Sequence, residues 1–206
     1  DSYGIAGDYI LTVGSIQPRK NLPRLINAYA RLCRERRLDN LPRLVIAGKP
    51  AWLYRETLAA ASSSTVKDQI IFTGYVPDED LSVLYSAAKC FIYPSFFEGF
   101  GLPPLEAMRC GTPTITGDRT CLPEVVGDGA LLVDPFDEQS ILEGIVKVLC
   151  DDRLREQLRE KGIKRAESFD WEKTARQTLE VYERVYEGSV AKTQSHRTAQ
   201  AADRVG

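Results

Sequence analysis

Two glutamates separated by seven residues, Glu98 and Glu106, enclose a segment that contains Gly99 and Gly101. A carboxylate only accepts hydrogen bonds, so two of them can bind neighbouring hydroxyls of a sugar. The glycines let the backbone approach a ligand closely, and the two prolines that follow them are typical of the first turn of a helix. The segment therefore predicts polar binding chemistry where a loop turns into a helix.

Two cations, Arg19 and Lys20, lie in a second loop, directly before another predicted helix. Cations beside the amides of a helix start can bind a diphosphate, although a solvated basic turn has the same composition. This loop contains neither the Gly-x-Gly-x-x-Gly of dinucleotide-binding proteins nor the Gly-Lys-Ser/Thr of a Walker loop. Cations and carboxylates together indicate a nucleotide sugar. The alternative is that Glu98 is a loop charge and Glu106 a surface residue of a helix start.

The elements that must position these residues alternate along the chain. Short apolar runs predict strands over residues 9–13, 44–47, 70–73, 90–93, 112–116 and 130–133. Helical patterns occupy residues 22–37, 52–61, 78–88, 104–109, 122–126, 137–149, 152–169 and 170–186. We expect Asn21 to cap the first helix. This alternation predicts an α/β fold with a Rossmann-like, parallel, six-stranded sheet flanked by helices, whose ligands bind beyond the carboxyl ends of the strands.

Composition narrows the class of protein. The 206 residues are 43% hydrophobic and 27% charged with a net charge of −2, which gives no basic field for nucleic acid and no polybasic membrane patch. The five cysteines have no close-spaced pair, so we expect reduced thiols in a soluble, cytoplasmic protein. We expect one domain over residues 8–187 and a disordered tail over 188–206. The tail contains the only histidine, His196, which disfavours a histidine triad or zinc site.

Several sequence segments, taken together and in this order, resemble a known family, although no single segment is specific. They cover residues 13–21, 72–77, 93–102, 106–113 and 122–127. The chain is similar to the C-terminal, donor-binding domain of the retaining glycosyltransferases of group 1, which have the two-domain GT-B fold and a Glu-x7-Glu motif. Ser15 departs from the pattern, since many members have arginine there.

The resemblance implies roles for individual residues. Glu98, Arg19 and Lys20 would be catalytic, with Glu98 facing the transferred sugar and the two cations stabilising the departing phosphate. The implied donor-binding residues are Gly14, Gly74, Tyr75, Val76, Gly99, Phe100, Gly101, Leu102 and Glu106. Within this set Glu106 would bind the ribose, and the turn at residues 74–76 would meet the base.

The resemblance also implies the reaction. A hexosyl unit would move from a nucleoside diphosphate sugar, first of all GDP-mannose, to a hydroxyl acceptor in glycan or polysaccharide synthesis, without a metal or other cofactor. An N-terminal acceptor-binding domain or subunit would be the partner, and any peripheral membrane contact would run through it. The alternatives are a nucleotide-sugar epimerase or phosphorylase of the same fold, or a non-catalytic sugar-nucleotide-binding module.

Overall fold

The six predicted strands form one sheet in which every neighbouring pair is parallel. The computed structural model describes residues 3–38 and 40–202, with side chains through residue 188. The strands are β1 (Tyr9–Val13), β2 (Arg43–Ala47), β3 (Ile70–Gly74), β4 (Cys90–Tyr93), β5 (Thr114–Gly117) and β6 (Ala130–Val133). Their order across the sheet is β3-β2-β1-β4-β5-β6. The direction of winding therefore reverses between β1 and β4, and the predicted α/β class is confirmed.

Helices follow the strands as predicted; the helix at residues 122–126 has the predicted ends, and each of the others has at least one shifted end. They are α1 (Leu22–Arg34), α2 (Arg55–Ser63), α3 (Asp78–Ala87), α4 (Leu102–Arg109), α5 (Leu122–Val126), α6 (Glu138–Cys150), α7 (Asp152–Glu167) and α8 (Trp171–Ala202). Helix α1 ends before the predicted residue 37 because Arg36 has a φ of 48°, in the left-handed region. Strand β5 begins after the predicted residue 112, since the amide of Thr112 bonds back to Ala107 of α4.

Both faces of the sheet are covered. Successive side chains of a strand point to opposite faces, so Ile10 of β1 joins the hydrophobic cluster formed with α1 and α6, whereas its neighbour Leu11 joins the cluster formed with α3 and α4. Both side chains are fully buried. This two-sided burial is what a parallel sheet requires, and it leaves the carboxyl ends of the strands as the edge at which loops can bind a ligand.

Helix α8 differs from the predicted tail. The described residues fall into two compact units that divide between Glu167 and Ser168, and α8 makes up most of the second. Its backbone is helical through Ala202, whereas residues 203–206 and the side chain of His196 lie outside the described part. Residues 189–205 contain no glycine or proline and are rich in Ala, Gln, Lys and Arg, which favour helix even without a core-facing pattern. Among the described residues, no helix combines the length and apolar character needed to span a bilayer.

Candidate active site

The two predicted cations and the first predicted glutamate meet at the carboxyl edge of the sheet, between β1 and β4. Lys20 Nζ donates a hydrogen bond of 2.7 Å to Glu98 Oε1, and Arg19 Nη1 donates to Glu98 Oε2. The cations lie in a 3₁₀ turn, Pro18–Lys20, after β1, whereas Glu98 follows β4. Residues 78 and 79 positions apart converge here because the order of the sheet reverses between these strands.

This ionic cluster is largely shielded from water. The side chains of Lys20 and Glu98 are 8% and 7% exposed, whereas that of Arg19 is 39% exposed. Lys20 Nζ also contacts the Tyr93 hydroxyl and lies 4.5 Å from the centre of that ring.

Burial lowers the pKa of Lys20 by more than its pairing with Glu98 raises it. Burial also raises the pKa of Glu98, but hydrogen bonds and charge from Lys20, with a further hydrogen bond from Arg19, hold it below its ordinary 4.5. Glu98 is therefore an ionised acceptor at neutral pH.

The predicted Gly14 makes room for the lysine. It has a φ of 142°, and a Cβ at this position would lie 3.2 Å from Lys20 Cε. Gly48, at the end of β2, has no room at all, since its Cβ would lie 2.0 Å from the Gly14 carbonyl oxygen. Its amide donates to the carbonyl of Gly74 at the end of β3, at 2.8 Å. The glycines that end three adjacent strands thus allow three loops to approach one another at this edge.

The start of α4 offers fewer backbone donors than a typical helix. Gly101 is the N-cap with a φ of 96°, and a Cβ there would lie 2.7 Å from Cδ2 of Leu122. The next residues are Leu102, Pro103 and Pro104. Because proline has no N–H, only Gly101 and Leu102 contribute amides of the first turn. The side-chain cations must therefore supply most of the charge for any anion that binds here.

Glu106 lies two residues further into α4 than predicted, in its second turn, because the helix begins at Leu102 rather than at residue 104. Its Oε2 accepts a 2.9 Å hydrogen bond from the hydroxyl of Tyr85 in α3. Burial, and next the charge of Glu106, raise the pKa of Tyr85, so this hydroxyl stays protonated and orients the carboxylate. The two glutamates thus have different partners: cations hold Glu98, and a neutral phenol holds Glu106.

The remaining predicted donor-binding residues lie around these groups. Gly99, Phe100 and Leu102 are exposed on the surface of the loop and the start of α4. In the turn after β3, Tyr75 is 60% exposed and its ring centre lies 4.4 Å from Lys49 Nζ, whereas the Val76 side chain is buried in the core. Val76 can therefore meet a ligand only through its backbone.

Sequence reasoning gave Asn21 the wrong role. It occupies the N-cap position of α1, but with a φ of 59° and no capping hydrogen bond from its side chain. Its amide nitrogen instead donates to the carbonyls of Pro94, at 3.0 Å, and Pro135, at 2.7 Å. Asparagine tolerates the left-handed region better than most residues, which frees its side chain to bridge the loops after β4 and β6.

Three further residues were not predicted. Lys49 contacts Tyr75, Thr120 Oγ1 accepts a 3.2 Å hydrogen bond from the Glu98 amide, and the Cys121 thiol contacts the Glu98 carbonyl. Each of these residues could have been found from its position in the sequence. Lys49 follows one of the loop glycines, and the loop after β5 must border the loop after β4 because these strands are neighbours.

No group of three His, Cys, Asp or Glu side chains is placed to hold a metal ion in the part of the chain that the structure describes. The charges that face one another at this site are those of Arg19, Lys20 and Glu98.

Residues 6–165 match the family model described as glycosyl transferases group 1. The chain belongs to this family. Among group 1 relatives, the O-antigen chain mannosyltransferase B of Escherichia coli is 44% identical over 174 residues, which are 84% of this chain and 45% of that protein. The serotype-specific mannosyltransferase WbdA of the same species is 39% identical over 191 residues, 92% of this chain and 23% of that protein.

The solved structures agree with the group 1 assignment. Sucrose-phosphate synthase from Thermosynechococcus elongatus superposes with a TM-score of 0.77 at 28% identity, over 88% of this chain and 46% of that one. The predicted architecture, one half of a GT-B glycosyltransferase, is thereby confirmed. The chain spans about half the length, or less, of the curated relatives that it matches.

Proposed function

We propose that this chain is the donor-binding part of a retaining mannosyltransferase, which takes GDP-mannose and glycosylates a hydroxyl of a growing glycan. The observation that carries the proposal is the buried cluster of Arg19, Lys20 and Glu98 between β1 and β4. Such a switch point is where open α/β sheets bind ligands. The names of the two relatives support the sugar, since both are mannosyltransferases and one acts on an O-antigen chain.

The geometry supports a division of roles. The diphosphate binds Arg19 and Lys20, beside the amides of Gly101 and Leu102 at the start of α4. The ribose hydroxyls bind the Glu106 carboxylate, which Tyr85 holds in place. The base lies against the turn after β3. Glu98 then faces the mannosyl group and accepts hydrogen bonds from its hydroxyls.

The cations also supply the catalytic electrostatics. As the glycosidic bond breaks, negative charge accumulates on the departing GDP. Lys20 is held in a fixed position by Glu98 and Tyr93, so its charge is already oriented towards the leaving group. A fixed pair of cations can neutralise the leaving group without a divalent metal, and we propose that the reaction is metal-independent.

We further propose an acceptor-binding domain as the partner of this one. The relatives are longer than the matched region, which leaves room in them for a second domain. Helix α8 has an apolar stripe at helical spacing whose members are exposed. The stripe contains Trp171, Leu179, Tyr182, Val185 and Tyr186. A partner domain that packs on α8 would remove this surface from water.

Calorimetric titration in chelator tests the proposal. We expect saturable binding of GDP, with weaker binding of UDP and ADP. Lys20→Met should weaken GDP binding about tenfold or more, the contribution of one hydrogen bond to a charged group. The matched control is Lys89→Met, which changes the net charge equally but lies before β4, at the opposite edge of the sheet. Absence of binding to all three nucleotides, or equal losses in both variants, would overturn the proposed donor site.

A further inference from the structure

The start of α5 holds the backbone of the donor loop, residues 98–101. The amide of Glu98 donates a 3.2 Å hydrogen bond to Thr120 Oγ1. Cys121 Sγ lies 3.1 Å from the Glu98 carbonyl and 3.2 Å from that of Phe100. Both backbone polar groups of Glu98, its N–H and its C=O, are thus held by two consecutive residues of the loop after β5.

Apolar packing fixes the other end of the same loop, at Gly101. Leu122 lies so near Gly101 that a Cβ there would approach its Cδ2 to 2.7 Å, and Leu122 itself is fully buried. Three polar contacts and one apolar contact therefore come from three consecutive residues, and they act on Glu98, Phe100 and Gly101. We call residues 120–122 the loop clamp.

Thr120 has a conformation that threonine rarely adopts. Its φ is 57°, and for a β-branched residue the left-handed region is a true outlier. Such strain persists where the surroundings impose it, and it is concentrated at functional sites. Glycine would adopt this φ without cost, but it would remove the hydroxyl that accepts from Glu98. At this position the strained φ therefore coincides with a side-chain contact that glycine could not make.

We infer that Thr120 and Cys121 are positioning residues that fix the donor loop so that Glu98 is aligned with the transferred sugar. They act through the loop backbone and touch neither the diphosphate nor the base. The link to the sugar rests on the proposed function, whereas the clamp itself rests only on contacts between residues of this chain. The inference predicts that losing the clamp affects recognition of the sugar more than recognition of the nucleotide.

Thr120→Gly separates this role from a purely structural one. Because the substitution relieves the strained φ, we expect an unfolding midpoint equal to or above that of the wild type. We expect its affinity for GDP-mannose to fall about fivefold, the value of one ordinary hydrogen bond, with less than about a twofold change for GDP. Thr120→Ser keeps the hydroxyl and should restore GDP-mannose binding. Cys121→Ala should reproduce the loss in a second position of the clamp.

Amide hydrogen exchange of residues 98–101, measured by NMR without ligand, tests the clamp independently of any nucleotide. We expect the Glu98 amide to exchange faster in Thr120→Gly than in the wild type and in Thr120→Ser. Equal exchange would overturn the clamp, whatever the protein binds. Equal weakening of GDP and GDP-mannose would overturn its link to the sugar. If the wild type binds neither ligand while the exchange difference persists, the proposed function fails and the clamp stands.

Discussion

Replacing Glu98 with glutamine should make the protein bind free GDP more tightly. The Glu98 carboxylate is paired with Lys20 and Arg19, the two cations proposed to bind the diphosphate. A diphosphate must displace that carboxylate, or share its partners with it, before it can bind. Glutamine keeps the shape of the side chain and removes its charge, so it competes less for the same cations.

The magnitude follows from the burial of each contact. The Lys20 contact counts in full because both side chains are more than nine-tenths buried, and a hydrogen bond to a charged group contributes about 1.5–3 kcal/mol. The Arg19 contact is discounted to about 1 kcal/mol or less, because Arg19 is 39% exposed. A neutral acceptor keeps roughly half of a charge-assisted bond. The substitution therefore removes about 1–2 kcal/mol of competition, which corresponds to roughly five- to thirtyfold tighter GDP binding.

Calorimetry of three proteins measures this effect. Wild type, Glu98→Gln and Glu124→Gln are titrated with GDP and with GDP-mannose, and the unfolding midpoint of each is recorded. Glu124 is an exposed residue of α5, so its substitution controls for the change in net charge. With GDP-mannose the gain of Glu98→Gln should be smaller, since the sugar loses a charged acceptor. If folded Glu98→Gln binds GDP no more tightly than the wild type, the proposed competition between carboxylate and diphosphate is wrong.

Three further outcomes are expected. Gly48→Ala should lower the free energy of unfolding, measured by urea denaturation, by about 3 kcal/mol or more, because its Cβ would lie 2.0 Å from a carbonyl oxygen at a φ of 149°. Gly99→Ala should cost much less, because a Cβ there would have no neighbour within 4 Å. Tyr85→Phe should weaken GDP binding several-fold in calorimetry, because Glu106 loses the hydroxyl that orients it. The Glu98 pKa is lowered on folding, so its stabilisation is complete above its ordinary 4.5 and is lost as the pH falls through the folded pKa. In denaturation experiments at several pH values, the difference in unfolding free energy between the wild type and Glu98→Gln should therefore shrink below pH 4.5. A difference that does not change with pH would contradict the pairing of Glu98 with the cations.

The sheet could be predicted from the sequence because each strand is a short, continuous apolar run between turn residues. Three strands, at Tyr9–Val13, Cys90–Tyr93 and Ala130–Val133, have the predicted ends. Errors arose where hydrogen bonding or intrinsic propensity set the boundary. Thr112 bonds back to α4 instead of starting β5, and α8 continues to Ala202 on helix propensity without a core-facing pattern.

The candidate site was predictable in its charges but not in their mutual contacts. Loop position and residue type place Arg19, Lys20 and Glu98 at one edge of a parallel sheet, as found. Nothing in the sequence shows that these cations are already paired with Glu98, because the contact depends on how two distant loops meet. The role of Thr120 was not predicted for the same reason, since its contact joins the loops of two neighbouring strands.

The side-chain amide of Asn21 joins three loops of the proposed donor site. It follows the two cations directly and bonds to the carbonyls of Pro94 and Pro135, so the loops after β1, β4 and β6 are tied through a single side chain. Loops that are joined through one side chain cannot be exchanged independently of one another. If the loop after β1 is replaced with that of a related transferase in order to alter the donor, the backbone around residues 94 and 135 must be replaced with it. Otherwise the cations of the new loop will be positioned incorrectly.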